Sequence, residues 1–259
     1  VAAAQNAPTE LDDVTVTATR TPVSIENSVV PVQVIDRAQI DHSQANSLQD
    51  LLRGRAGLDF ANQGGAGKIT SLFLRGSNSN QVLVLVDGVR VASATSGMAA
   101  LQDLPVDQIE RIEIVRGPRS SLYGSEAIGG VIQIFTKKGE AGVAPYVGVG
   151  AGTHGTYRTE AGVSGARGTV DYALGLARET SNGFNAKLDG NPDRDDYRST
   201  AANGRLGLQL STAHRLEGNF LYNDTDGGYD VNKTADDRSL HRMHAASLNW
   251  QAKWSEKYK

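Results

Sequence analysis

Glu113-Ile114-Val115-Arg116-Gly117-Pro118-Arg119-Ser120-Ser121-Leu122-Tyr123-Gly124-Ser125-Glu126-Ala127-Ile128-Gly129-Gly130-Val131-Ile132-Gln133-Ile134-Phe135-Thr136-Lys137 is the stretch on which the reading of this chain turns. Two β-type segments, 112–115 and 131–136, flank a loop punctuated by glycine. Gly117-Pro118 demands a turn, because proline fixes φ and glycine permits positive φ. Gly129-Gly130 lets the backbone bend tightly before the second strand.

The segments before this run alternate between helix and strand signals. Val29 to Ile35 reads as a strand. Asp36 is placed to cap a helix over 37–42, and Ser47 to cap a second, with Leu48, Leu51 and Leu52 at helical spacing. Gly54 and Gly57 end it. Ile69–Leu74 and Gln81–Val86 read as strands, the latter closed by the turn pair Asp87-Gly88. Pro105–Ile109 reads as a short helix. This mixed order predicts a small α+β domain over 30–139. Residues 1–29 are polar, lack strong periodicity and read as a flexible arm.

From residue 140 the pattern changes to clean alternation. Tyr157, Thr159, Ala161 and Val163 share one face; Val170, Tyr172, Leu174 and Leu176, then Leu206, Leu208 and Leu210, do the same. So do Leu216, Phe220 and Tyr222, and Leu248, Trp250, Ala252 and Trp254. With 143–151 this predicts six strands. A soluble sandwich alternates in the same way, so connection length must discriminate. Connections 152–156, 165–168 and 211–214 are short, whereas 178–198 and 224–242 are long. Short turns at one end and long loops at the other are the habit of outer-membrane barrels. Tyr146, Tyr157, Tyr222 and Trp254 lie near expected strand ends, where aromatic girdles sit.

Composition agrees. Hydrophobic residues make up 39% of the chain, and no apolar run approaches the roughly 18 residues that a membrane-spanning helix needs. A transmembrane barrel hides its apolar residues in alternation. The net charge of −3 offers no basic excess for nucleic acid. Cysteine is absent, which removes disulfides and thiolate chemistry. The five histidines, His42, His154, His214, His241 and His244, show no metal-ligand spacing, and no Ser-His-Asp or paired-carboxylate constellation stands out. Ala2-Ala3-Ala4-Gln5 reads as the remnant of a signal-peptide cleavage site or as an arbitrary start.

The 113–137 run, together with Leu74-Arg75-Gly76 and Leu85-Val86-Asp87-Gly88-Val89, resembles the plug domain of the TonB-dependent outer-membrane transporters. The resemblance implies an α+β plug (30–139) followed by antiparallel transmembrane β-barrel strands (140–259). These would be the first six of roughly 22 strands in a plugged barrel. Six strands alone leave two open edges that lipid does not tolerate, so a longer protein is expected. Asp12-Asp13-Val14-Thr15-Val16-Thr17-Ala18 is by itself an ordinary β-prone stretch. Ahead of a plug it resembles the TonB box, which the family offers to the periplasmic coupling protein TonB by strand addition.

The two long loops are acidic: Asp189, Asp193, Asp195 and Asp196 in one, Asp224, Asp226, Asp230, Asp236 and Asp237 in the other. Such crowding is solvated surface charge unless a hard cation joins it, and calcium takes six to eight oxygens on flexible chain. Here the resemblance narrows to the cobalamin-transporting branch, in which two outer loops gather aspartates around calcium. Asp193 and Asp195 before Tyr197 match the first loop, and Tyr229-Asp230 and Asp236 before Arg238 match the second. Asn185 departs from the pattern, standing where the branch has another aspartate. The resemblance implies calcium held by Asp193, Asp195, Tyr229, Asp230 and Asp236.

Two loops qualify for the plug apex below a ligand: Asn62-Gln63-Gly64-Gly65-Ala66-Gly67 and Val91-Ala92-Ser93-Ala94-Thr95-Ser96-Gly97. Bare backbone and small hydroxyls follow a large rigid ligand closely, so Asn62, Gln63, Gly64, Gly65, Ser93, Thr95 and Ser96 are the candidate substrate contacts. Gly64-Gly65-Ala66-Gly67-Lys68 is not a phosphate loop, which needs glycine at Asn62 and Ser or Thr at Ile69. Arg75, Arg116 and Arg119 follow plug strands; the family implies that they pair with acids on the barrel wall, and the plain alternative is a turn-stabilising arginine. The expected function is TonB-dependent cobalamin uptake across the Gram-negative outer membrane, amid lipid and lipopolysaccharide. The rivals are a siderophore or haem receptor of the same fold, a surface-binding barrel that transports nothing, and a soluble β-rich enzyme.

Overall fold

The computed structural model describes residues 15–16, 23–24, 31–55, 57–93, 96–186, 194–230 and 237–253. In the arm, β1 (Thr15–Val16) pairs antiparallel with β2 (Val23–Ser24). The plug begins with β3 (Val32–Ile35), α1 (Arg37–Ser43) and α2 (Leu48–Leu52). Both caps are as the sequence predicts: Asp36 accepts from Gln39 N–H at 2.8 Å and Ser47 Oγ from Asp50 N–H at 3.1 Å, satisfying orphan donors of the first turn.

The next element corrects the sequence reading, which has no strand here. β4 (Leu58–Asn62) forms an antiparallel hairpin with β5 (Thr70–Leu74). Its exposed Asp59 and the glycines beyond it mask a buried Leu58. β6 (Val82–Val86) and β7 (Val89–Arg90) follow, joined at Asp87-Gly88, both with positive φ. β8 (Ile109–Arg116), the one-turn α3 (Ser120–Tyr123) and β9 (Gly130–Thr136) complete the domain. Five strands make one sheet in the order β3-β8-β9-β6-β7, with only β6–β9 parallel.

Ile35, Leu52, Leu74, Ile112, Ile114, Ile132 and Ile134 form the plug core. The glycine pair at 129–130 is explained by close approach: a Cβ at Gly130 would strike Val115 O and Leu74, and one at Gly129 would strike Ser77. The turn at Gly117 is held by Gly117 N–H donating to Gly129 O at 3.2 Å.

β10 (Gly142–Gly152), β11 (Thr156–Arg167), β12 (Val170–Ser181), β13 (Tyr197–Gln209), β14 (His214–Tyr229) and β15 (Asp237–Ala252) form an antiparallel meander in sequence order. The second long loop is shorter than predicted, because the ladder runs through 224–229 and 237–242. Arg242 pairs with Asp224 and Arg238 with Asp226, each at 2.8 Å, so opposite charges across the strands prolong the pairing. Asp224 and Asp226 thereby leave the acidic loop and join the wall.

The wall is inverted relative to a soluble sheet. Val147, Val149, Leu174, Leu176, Leu206, Leu240, Leu248 and Trp250 stand exposed. Asn203, Arg205, Glu217, Asn219, Asn223 and Thr225 are buried on the opposite side. Apolar out and polar in is the pattern of a wall between lipid and lumen. Among the described residues no helix is long and apolar enough to cross a membrane; the strands cross. Tyr157, 64% exposed, fits an outer girdle. Tyr146 does not: its ring packs over Gly162 and under Lys137 of the plug side, so it faces inward. Trp254 lies outside the described residues.

Leu174 tests this orientation. In the full-length protein folded into vesicles, Leu174→Arg is expected to cost about 2–4 kcal/mol in denaturant titrations if the site lies near the bilayer centre. An unchanged stability would put that face in water.

Candidate functional site

The apex loop between β4 and β5 is shaped by Asn62. Its Oδ1 accepts from Gly64 N–H (3.0 Å) and Gly65 N–H (2.6 Å). Its Nδ2 donates to Gly65 O (3.0 Å) and Thr70 Oγ1 (2.9 Å). Asn62 is thus committed to its own loop. The glycines face the wall: a Cβ on Gly64 would lie 2.8 Å from Ala186, one on Gly65 3.1 Å from Phe184, and one on Gly67 would enter the Tyr197 ring. Bare backbone at this apex serves close packing against the first outer loop and the top of β13. In the second apex loop, Ser93 Oγ accepts from Ser96 N–H and Ser96 Oγ from Met98 N–H, which closes the turn on itself. Thr95 lies outside the described residues.

Of the expected calcium ligands, Asp193 and Asp236 lie outside the described residues. Asp195 is buried; its Oδ2 accepts from Ala186 N–H at 3.0 Å, and its Oδ1 has no hydrogen-bond partner. A buried carboxylate oxygen left in this way is a donor that a hard cation would take. Tyr229 ends β14, and Asp230 follows it. Among the described residues, however, no three carboxylates or imidazoles gather closely enough to hold a metal ion. A site here would need donors from 187–193 and 231–236.

The cation that the structure does place there is one the sequence reading passed over. Lys68, 4% exposed, extends from the apex loop and donates through Nζ to Gly228 O and, at 3.5 Å, to Asp196 O. Burial pushes its ammonium below the ordinary lysine value, Asp195 and Asp196 push it back, Arg238 lowers it again and Asp230 raises it. Arg238 meanwhile bridges Asp196 and Asp226, each at 2.8 Å. The only signal for Lys68 in the sequence was its place directly after the glycine run.

Plug and wall are joined by charge, with the polarity opposite to that expected. Arg205 of β13 pairs with Asp87 of the plug turn at 3.3 Å and with Glu217 of β14 at 2.6 Å, and all three side chains are under 10% exposed. Asp87 is held by Thr136, whose N–H (3.0 Å) and Oγ1 (2.6 Å) donate to it. Arg158 of β11 likewise reaches plug Asp107 and, more loosely, Glu160 and Glu179. In both links the arginine stands on the wall and the acid on the plug. Arg116 donates instead to Gln33 of neighbouring β3, and among the described residues Arg75 and Arg119 form no ion pair. Arg75 has positive φ, and its main-chain N–H donates to Gly57 O at 2.7 Å. Above the plug, a cavity of about 320 Å³ lies between α2, the apex loop and the wall, lined by Asn62, Gly65, Arg158, Glu179 and Tyr197 among others.

Residues 24–131 match the family described as "TonB-dependent Receptor Plug Domain". This chain carries the plug domain of a TonB-dependent receptor. The vitamin B12 transporter BtuB of Photobacterium profundum is 34% identical over 221 residues, 85% of this chain and 36% of that protein. BtuB of Vibrio cholerae is 36% identical over 239 residues, 87% of this chain and 39% of that protein. The chain therefore spans under two-fifths of the length of these relatives. Among solved structures, the siderophore receptor PirA of Acinetobacter baumannii superposes with a TM-score of 0.70 at 20% identity, covering 89% of this chain and 38% of that one. The ferripyoverdine receptor of the outer membrane of Pseudomonas aeruginosa gives 0.70 at 19%, covering 92% and 33%. At such identity these two speak for the fold alone: a plug followed by wall strands of the same barrel. The place of this TonB-dependent receptor is the outer membrane of a Gram-negative cell.

The Arg205 triad makes a measurable prediction. Arg205→Met leaves Asp87 and Glu217 facing each other without their shared counter-charge, and breaking a buried pair in this way costs about 3–5 kcal/mol. In denaturant unfolding of the full-length receptor, Arg205→Met should shift the plug transition down. Adding Asp87→Asn should recover part of the loss, whereas strictly additive effects would show that the two groups are not coupled.

Proposed function

We propose that the full-length protein takes up cobalamin across the outer membrane, driven by TonB, and that it is a gated carrier and not an enzyme. The observation that carries this reading is the 34–36% identity to vitamin B12 transporters over more than four-fifths of the chain. The inverted wall and a plug tied to it by breakable ion pairs are what such a carrier needs.

In this reading cobalamin rests on the outer loops and the apex, with Gln63, Gly64, Gly65, Ser93, Thr95 and Ser96 as candidate contacts beside Asn62. Asp193, Asp195, Asp230 and Asp236, with Tyr229, hold calcium, which supplies the positive charge that lets these carboxylates crowd together. Asn185 contributes a carbonyl at most, so the affinity for the ion is modest. The arm at 12–18, already able to pair as a strand at Thr15–Val16, adds to a sheet of TonB. Ligand docking favours the released arm by binding that state more tightly. Pulling then loads the plug–wall ion pairs at Asp87 and Asp107. The exposed apolar face of β10 to β15 meets lipid, and the arginines near the outer strand ends, Arg198 and Arg242, meet lipopolysaccharide phosphates.

Cyanocobalamin binding to the full-length protein in detergent tests this, first with calcium and then with chelator. Tight binding that the chelator weakens is the expected result. Tight binding indifferent to chelator retains the substrate and discards the ion. Failure to bind in both conditions overturns the cobalamin assignment and leaves the plug and wall untouched.

A further inference from the structure

We propose that Lys68 is a resident counter-cation of the outer loops, tethering the plug apex to them and competing with a divalent cation for their carboxylates. The competition rests on the calcium reading above; the tether does not.

Three observations carry it. Lys68 is buried although lysine is rarely so unless paired. Its ammonium satisfies main-chain carbonyls of two segments that are far apart in sequence, Asp196 and Gly228. The fit around it is close: a Cβ on Gly227 would lie 3.4 Å from Nζ, in ordinary van der Waals contact, and one on Gly228 would lie as near to Asp195 and Asp196. The plain alternative, a lysine that merely caps stray carbonyls, does not account for the charge around it. Arg238 is engaged by Asp196 and Asp226. Asp195, whose buried Oδ1 has no hydrogen-bond partner, lies in the field of Lys68, as does Asp230.

A divalent ion drawn to the same carboxylates would lie within a few ångströms of a positive charge in a poorly hydrated setting. The repulsion there is strong. Either the ion is held weakly, or it displaces Lys68 and frees the apex from the loops. Calcium would then do two things at once in this receptor: gather the loops and unlatch the plug beneath them.

Two readouts on the full-length receptor in detergent separate the claims. The first is calcium affinity by calorimetric titration of the parent, Lys68→Met, Lys68→Gln and Lys68→Arg. Loss of the charge should tighten calcium binding by roughly tenfold or more, while Lys68→Arg stays within about threefold of the parent. The second is the rate at which proteinase K cuts between residues 184 and 240 in chelator. Lys68→Met and Lys68→Gln should be cut several times faster than the parent and Lys68→Arg, and calcium should protect them. Unchanged calcium affinity in the neutral variants overturns the competition. Unchanged cleavage overturns the tether. If no protein takes up calcium, the calcium reading and the competition fall together, and the cleavage rates alone decide for or against the tether.

Discussion

Charge buried on the inner face of a lipid-facing wall must find its partners inside, and this constraint orders the rest of the structure. The strands turn leucine, valine and tryptophan outward, so their alternate positions point to the interior whether or not water is there. Arg205, Glu217, Asn219 and Asn223 are buried there. An isolated guanidinium in that position would be expensive, and removing a partner leaves an uncompensated charge. The plug resolves this at Asp87, whose carboxylate is itself fixed by two donors from Thr136. Arg205 also has Glu217 within the wall, so plug and wall share one buried ion-pair network that both contribute to. Such a contact is strong while dry and weakens once water enters, because ion-pair strength falls as the local dielectric rises. In the carrier reading proposed above, that suits a domain which would have to stay seated and yet yield to a pull.

Glycine takes a different part at the apex from the one its sequence suggests. A run such as Gly64-Gly65-Ala66-Gly67 invites a ligand-cradle reading. In the folded chain those positions lie against Ala186, Phe184 and Tyr197. Backbone there is bare because the first outer loop comes down onto it. At these positions the apex and the loop form one packed unit. Gly64 and Gly65 thereby lie beside the segment whose Ala186 N–H holds Asp195.

Legibility in the sequence followed the range of the interaction. Caps at Asp36 and Ser47, the Asp87-Gly88 turn and six alternating strands are local signals, and the structure has each of them. β4 escaped because its alternation, over Leu58, Asp59 and Phe60, is short and lies between glycines that read as loop, and its hairpin partner completes it. The extension of β14 and β15 escaped because Asp224 and Asp226 read as loop acids until Arg242 and Arg238 are seen opposite them, up to 18 residues away. The plug–wall polarity escaped for the same reason. Arginines near strand ends were visible, but their partners are set by tertiary distance, and the wall supplied the arginine in both links.

Lys68 shows what that kind of blindness conceals. Along the chain it is one lysine after a glycine run, and a motif search dismisses it once the phosphate-loop spacing fails. In space it is a buried plug cation that donates to the main-chain carbonyls of Asp196 and Gly228. A cation in this position changes the meaning of the acidic loops around it. The loop carboxylates have a positive charge beside them already, supplied by the plug. On the calcium reading proposed above, the balance between that charge and a divalent ion is a balance between two arrangements of the same loops. Whatever shifts it at the outer surface is felt directly at the plug.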